Sequence, residues 1–464
     1  MFSRLCGRLL TSSLLGLVLL ALGPLVHASE AEFFVAPNGN DANPGSIDAP
    51  FATLAAAQRA MRSSGIRTTF VRGGVYILTS PLILTTADNG ERWSYYPPDG
   101  VDSAFLDGAD LIAGGIIELE GTSNVVIDGL SIFHFVDYGI FGTSTGTVNG
   151  GNNIIVYCDI GYNSITSWSS AGIAINSMPN TIIASNYVHD VGSQGIAVYA
   201  YSPGQSINGD LIMQNVVLRA VTRKSDGGAI YTNMHNGNQA DSVSIFDNFV
   251  ADQGAPGTWG VHGIYVDDLS SNVNVFNNIV RAPAPNTGTT SIYGVNAVSA
   301  FFVTNGNNDV FTNNIVDLGS SGTESVAIFA FATSESIDVS MHGDAVYDNI
   351  IISSSSGPLR TANSAQNGYA YFEDINDPKG YDYTIGSNLY WNYTPGGSVF
   401  SNGFPFSDTH PFYVNPAFTN ATYALSTDSP VYSLLGWSDL PSNWGPIGFS
   451  LPPLATPPSQ MISQ

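Results

Sequence analysis

The chain reads as an all-β solenoid, a parallel β-helix with a short N-terminal capping helix and a C-terminal cap. Three observations predict it. An asparagine recurs at Asn186, Asn215, Asn248, Asn278, Asn314, Asn349 and Asn388, about thirty to forty residues apart, the spacing of a repeat array. A second strand in each unit opens on glycine, at Gly139-Ile140, Gly172-Ile173, Gly195-Ile196, Gly228-Ala229, Gly263-Ile264 and Gly294-Val295. The remaining runs are short and β-branched, with few helix signals.

Stacked coils lie about 4.8 Å apart, so equivalent residues sit on one another. A column of asparagines can then hydrogen-bond along the stack at the turns. The uneven intervals fit, because extra residues can bulge from a turn without disturbing the core. A propeller would require a more even period of about 40–45 residues, and two sandwich domains would give no such column.

In chain order, Arg4 and Arg8 precede an apolar run ending near Leu22, then Gly23-Pro24 and Val26-His27-Ala28. That is the pattern of a secretory signal peptide over 1–28, which predicts a secreted or periplasmic protein. Residues 29–110 are expected to form the entry cap and first coils. Phe33 to Val35 is a strand there, and Thr53 to Arg62 is the best helix, with Thr53 as N-cap and Arg59 and Arg62 near its C-terminal dipole. Residues 111–400 carry the β-helix, with degenerate early copies at 125–130 and 154–159. Residues 401–464, rich in aromatics and proline, read as exit cap and tail.

The formal charge is −24, and it becomes −26 without the signal segment, which takes two arginines and no acids with it. Such a surface excludes nucleic acid and anionic membranes as partners and disfavours a polyanionic substrate. Cys6 leaves with the signal and Cys158 stays single, so no internal disulfide is available and a large core must supply stability. Cys158 follows Ile154-Ile155-Val156-Tyr157 and reads as a buried small hydrophobe. A monomer is expected.

Two neighbouring units carry acids: Asp226-Gly-Gly-Ala-Ile-Tyr231 and Gly263-Ile-Tyr-Val-Asp-Asp268. The segments after them, 243–250 and 273–280, match position by position in type. Two carboxyl groups on a rigid surface are what glycoside cleavage requires. An acid at a strand end also caps turns, and the glycine alignment sets Asp226 and Asp267 six positions apart. A straight strand would then separate them by roughly 20 Å, whereas a glycosidase pair needs about 5–9.5 Å. A bend must bring them together, or Asp190, Asp252 or Asp268 replaces one partner.

The aromatics Trp168, Tyr199, Tyr231, Trp259 and Tyr265 fall in the same coils and could stack on sugar C–H faces or simply fill the core. His262 precedes a strand and is a candidate donor to a substrate hydroxyl, or a structural histidine. Arg219, Arg223 and Lys224 form a basic cluster in a cation-poor chain. A uronate lyase or C5-epimerase would need such cations, or bound calcium, beside a base; otherwise they balance the acids. No dedicated metal motif is present, and no cofactor is expected beyond that opening for calcium.

The runs Phe34-Val-Ala-Pro-Asn-Gly-Asn-Asp41, Pro50-Phe-Ala-Thr-Leu54 and Val71-Arg-Gly-Gly-Val-Tyr76 resemble the entry region of secreted right-handed parallel β-helix proteins. The acidic segments, with Asp408-Thr-His410, Asn415-Pro-Ala-Phe418 and Asp428-Ser-Pro430, resemble glycoside hydrolase family 141, although Asn415 stands where aspartate is usual. The resemblance implies Asp226 and Asp267 as catalytic pair, Asp268 as neighbour, and a neutral plant-type polysaccharide, xylan- or fucoside-like, as substrate. The alternatives are a lyase or epimerase on a uronate polymer and a non-catalytic carbohydrate-binding β-helix.

Overall fold

The computed structural model describes residues 31–97, 103–109, 111, 113–144, 150–163, 170–224, 226–235, 240–254, 260–281, 298–319, 327–332, 342–354, 382–394, 408–419, 422–441, 444–446, 450 and 454. The expected signal peptide lies outside them, as do Trp168, Trp259 and Gly294-Val295. Among the described residues no helix is long and apolar enough to cross a membrane.

From Phe33 onward the strands stack in chain order into three sheets of 12, 11 and 9 strands. Their strand pairs are all parallel, as in Ile154–Val156 on Ile182–Ala184, Asp159–Gly161 on Tyr187–His189, and Ala171–Asn176 on Gln194–Tyr199. This is the parallel β-helix. The coils described in full hold three strands where the sequence pattern showed two. The missed boundary is the asparagine corner itself, which splits a run such as 243–250 into Val243–Phe246 and Phe249–Ala251.

That corner explains the asparagine column. The residue before each asparagine has positive φ, for instance Ser185 at 54°, Gln214 at 56° and Asn277 at 57°, which turns the chain between the first and second sheets. Asn186 then places its backbone N–H and its side-chain amide on Oδ1 of Asn215, both at 3.0 Å. The same pair of bonds repeats from Asn215 to Asn248, Asn278, Asn314, Asn349 and Asn388. All seven are fully buried, so each polar atom must find a partner within the protein. The last, Asn388, donates twice to Asp408.

Inside, like stacks on like. Ile155, Ile183, Ile212 and Ile245 line the first sheet, Ile160, Val188, Val217 and Val250 the second, and Ile173, Ile196, Ile230 and Ile264 the third, all buried in one core. Cys158 belongs to it, and burial pushes its thiol up to about 12.

Helix α1 (Leu54–Ser64) closes the first coil with Leu54, Ala57 and Met61. Thr53 caps it, and Arg62 binds Asp88 through Nε at 2.6 Å. At the other end the chain does more than close the last coil. Phe412 bridges to Leu389, Tyr423 donates to Asp317 at 2.8 Å, and the Gly445 amide reaches the Gln214 carbonyl at 2.7 Å. The segment thus runs back along the outer face of the second sheet, burying Phe418, Val431, Leu435 and Trp437 of helix α2 (Pro430–Leu435) and its flanks.

Candidate functional site

The long strands of the third sheet are bent. Ala229 and Ile230 are consecutive yet both face the core, which a straight strand forbids because side chains alternate. Consistently, Tyr138 and Phe141, three residues apart, stack their rings at 4.5 Å, and His262 and Tyr265 approach to 4.7 Å. Glycine makes the bend fit: a Cβ on Gly263 would meet Val280 Cγ1 at 2.5 Å, and one on Gly172 would meet Val188 Cγ1 at 2.5 Å. On the outside the two arms of each strand fold toward one another. A Cβ on Gly228 would stand 2.8 Å from Cβ of Tyr265, although Gly228 pairs with His262 and Tyr265 with Tyr231. The outer face of the third sheet is therefore a concave groove parallel to the solenoid axis.

The register corrects the glycine alignment. Ile230 pairs with Ile264 and Ile264 with Phe301, so the inward column runs Gly195, Ala229, Gly263, Ala300, not through Gly228. Asp226 immediately precedes the strand Gly227–Asn233, whose last residue pairs with Asp267 at the end of Val261–Asp267. The two aspartates thus lie at opposite arms of the bend, one position farther apart along the chain than the sequence alignment placed them. The bend nonetheless brings them into electrostatic contact.

Burial pushes Asp267 up to about 7, with the charges on Asp268 and Asp226 adding to the rise and hydrogen bonds from Tyr231 and Tyr265 opposing it. Crowding by protein, then the charge on Asp268, raises Asp226, whose side chain stays exposed at the groove and so is better screened by water. Burial likewise raises Asp268, against the pull of His235 and hydrogen bonds from Asn233 and Asn305; His235 Nδ1 stands 3.8 Å from its Oδ2. Three carboxyl groups that resist simultaneous ionisation can hold a proton near neutral pH, as acid–base chemistry requires.

The tyrosines of that aromatic set, Tyr199, Tyr231 and Tyr265, are buried and do not present an open stacking platform. Tyr231 and Tyr265 expose only 7% and 5% of their surface, and their hydroxyls point at acids. Tyr231 donates to Asp267 Oδ2 at 2.7 Å and accepts from Asn233 Nδ2 at 3.1 Å. Tyr199 is buried, with its ring 4.9 Å from that of the exposed Tyr201. His262 is also buried, its Nδ1 2.7 Å from Ser299 Oγ and its ring stacked on Phe302. Burial drops it to about 3, so it is a neutral structural imidazole in this conformation.

The basic cluster divides. Arg219 binds Asp190 through Nε and Nη2, each at 2.7 Å, and Asp190 also holds His189 at 2.7 Å. Arg219, Asp190 and Asp252 occupy equivalent positions after the second-sheet strands, away from the groove. Arg223 and Lys224 both anchor their amides on the Gly192 carbonyl, at 2.9 and 3.0 Å, just before Asp226. Among the described residues no group of three or more His, Cys, Asp or Glu could hold a metal ion. Sequence reasoning missed Asn233, Tyr201, His235 and Asn305; only the strand register, which puts Asn233 beside Asp267, could have pointed to the first.

No family model matches the chain, nor does any curated protein. Solved structures do resemble it. One described as a glycoside hydrolase superposes with a TM-score of 0.51 at 10% identity, covering 76% of this chain and 96% of that one. A rhamnogalacturonan lyase (TM-score 0.40, 13% identity, 90% and 96% covered) and the pectate lyase Pel9A (0.44, 13%, 70% and 80%) superpose with lower scores. At such identity the likeness is one of fold: the chain has the parallel β-helix architecture found in carbohydrate-active proteins.

Proposed function

We propose that the protein is an exported glycoside hydrolase that cleaves a neutral polysaccharide or oligosaccharide, xylan- or fucoside-like, in the groove of the third sheet. The observation that carries this reading is the electrostatic coupling of Asp226, Asp267 and Asp268 at the bend: crowding by protein raises all three, and the charge of Asp268 adds to the rise of the other two. One carboxylic acid gives its proton to the glycosidic oxygen as the C–O bond breaks. A second, ionised, either attacks the anomeric carbon or takes a proton from the attacking water. The family 141 resemblance of the two acidic segments supports the same residues.

Replacing Asp226 or Asp267 by Asn preserves size while removing the titrating group. Each change should lower turnover by about 10²–10⁴ and leave the thermal midpoint nearly unmoved. Neutral xylan- and fucose-type substrates and uronate polymers should be assayed side by side for reducing sugar and ultraviolet absorbance. Full activity in the Asp226→Asn protein would end the two-aspartate proposal.

A second reading rests on Arg223 and Lys224, which directly precede Asp226. A uronate lyase would use such cations to neutralise the substrate carboxylate and would release an unsaturated, ultraviolet-absorbing product. Loss of that product in Arg223→Ala would favour it.

A further inference from the structure

Of the three aspartates, Asp267 is the one that a phenol holds together with a backbone amide. Its Oδ2 accepts from the Tyr231 hydroxyl at 2.7 Å and its Oδ1 from the Asp268 amide at 2.9 Å. The Tyr231 oxygen is itself fixed from behind by Asn233 Nδ2 at 3.1 Å, and Tyr201 joins it by a further hydrogen bond. An oxygen that accepts from Asn233 must turn its own proton elsewhere, and the charged acceptor within reach, at 2.7 Å, is Asp267. Both carboxyl oxygens of Asp267 therefore face donors, which favour its carboxylate and oppose the rise that burial and the neighbouring acids impose on it. Neither Asp226 nor Asp268 is held in this way by a described phenol.

We propose that Tyr231 is a positioning residue for the proposed reaction: braced by Asn233, its hydroxyl holds Asp267 as the ionised carboxylate of the groove and leaves the proton of the cluster to its acidic neighbours. Asp267 is then the base or nucleophile. The side chain of Tyr231 does not touch the reacting bond; it acts through the orientation and charge of Asp267. The inference rests on the glycosidase reading only for its kinetic arm.

The test is Tyr231→Phe, which keeps the ring in its place and removes one hydroxyl. The carboxyl carbon of Asp267, labelled with ¹³C and assigned by its loss in Asp267→Asn, should titrate about one to two pH units higher in the variant. The acidic limb of the pH–rate profile, where an ionised group becomes protonated, should move upward with it. Asn233→Ala, which keeps the phenol but removes its brace and a donor to Asp268, should raise the titration of the Asp267 resonance by less and that of Asp268 as well; an unmoved Asp267 titration in it overturns the proposal if the Phe variant fails to fold. An Asp267 resonance that titrates unchanged in the variant overturns the proposal, and so does movement of the alkaline limb alone, which would make Asp267 the acid. Absence of glycoside cleavage in the unmodified protein would instead refute the hydrolase reading, while the carboxyl titration still decides the role of Tyr231.

Discussion

Two polar ladders run along this solenoid, and they differ in whether they repeat. At the corner between the first and second sheets, seven asparagines follow one another and each satisfies the next. Along the bent third sheet, the equivalent outer position reads Thr143, Asn176, Tyr199, Asn233, Asp267 and Thr304. The first ladder is repetitive because stability asks the same thing of every coil. The second changes at every coil and includes Asp267, whose raised carboxyl group has Asp226 and Asp268 as charged neighbours. In a repeat fold, departure from the repeat marks where chemistry is placed.

The comparison can be broken first at the asparagine corner. Asn248 donates to Ile212, Phe246 and Asn278 oxygens and accepts from Asn215. Asn248→Ala leaves several buried groups without partners and should cost at least about 3 kcal/mol, read by chemical denaturation; activity per folded molecule should stay. A smaller effect is expected at the bend. In Gly263→Ala the new Cβ would stand 2.5 Å from the Ala300 carbonyl oxygen and from Val280 Cγ1, costing about 1–3 kcal/mol. Because it reshapes the groove, it should lower activity as well as stability, unlike the asparagine change.

The smallest effect sharpens the contrast through a third column, where acids take positions suited to asparagine. Val273 donates its amide to Asp309 Oδ1 at 2.8 Å and Asp309 donates its amide to Asp344 Oδ1 at 2.9 Å. Burial, and the charge of Asp344, raises Asp309 far above the ordinary range, while burial pushes Asp344 up to about 7. An acid whose folded pKa is raised binds more protons folded than unfolded, so its contribution is full at low pH. That contribution falls as pH rises toward 7, with a slope of at most about 1.4 kcal/mol per pH unit for one proton. The thermal midpoint should therefore decline between pH 5 and 7, and Asp344→Asn should flatten that decline. A slope unchanged by the substitution would assign it elsewhere, for instance to Glu91, which burial pushes up to about 8.

The asparagine column was legible because it is local and periodic: one residue type recurs, and its physical role needs no knowledge of distant contacts. The three-strand coil was not, because a single turn residue of positive φ, such as Ser185, looks like strand interior to any pattern of apolar residues. The bend was legible only as a need. Separation along the chain demanded it, but Ala229 and Ile230 both turning inward depends on packing against the neighbouring coils. For the same reason Gly228 and Ala229 exchanged places in the alignment. The aspartates of the groove were visible as acids at strand ends, whereas the hydroxyl of Tyr231 aimed at Asp267 could be seen only once the coils were stacked.

The asparagine ladder has a direction, since every member gives its backbone N–H to the coil above while its Oδ1 accepts from the coil below. Such a chain behaves like a growing polymer, and it ends only when it meets a group that accepts without offering more. Asp408 is that group: its Oδ2 takes the amide and side chain of Asn388 and the hydroxyl of Tyr390, at 3.0, 2.9 and 3.0 Å. An asparagine there would carry an amide with a further donor to place, whereas the buried carboxylate has none. The carboxylate acts as a chain terminator, closing inside the protein a ladder that would otherwise end on an unanswered amide.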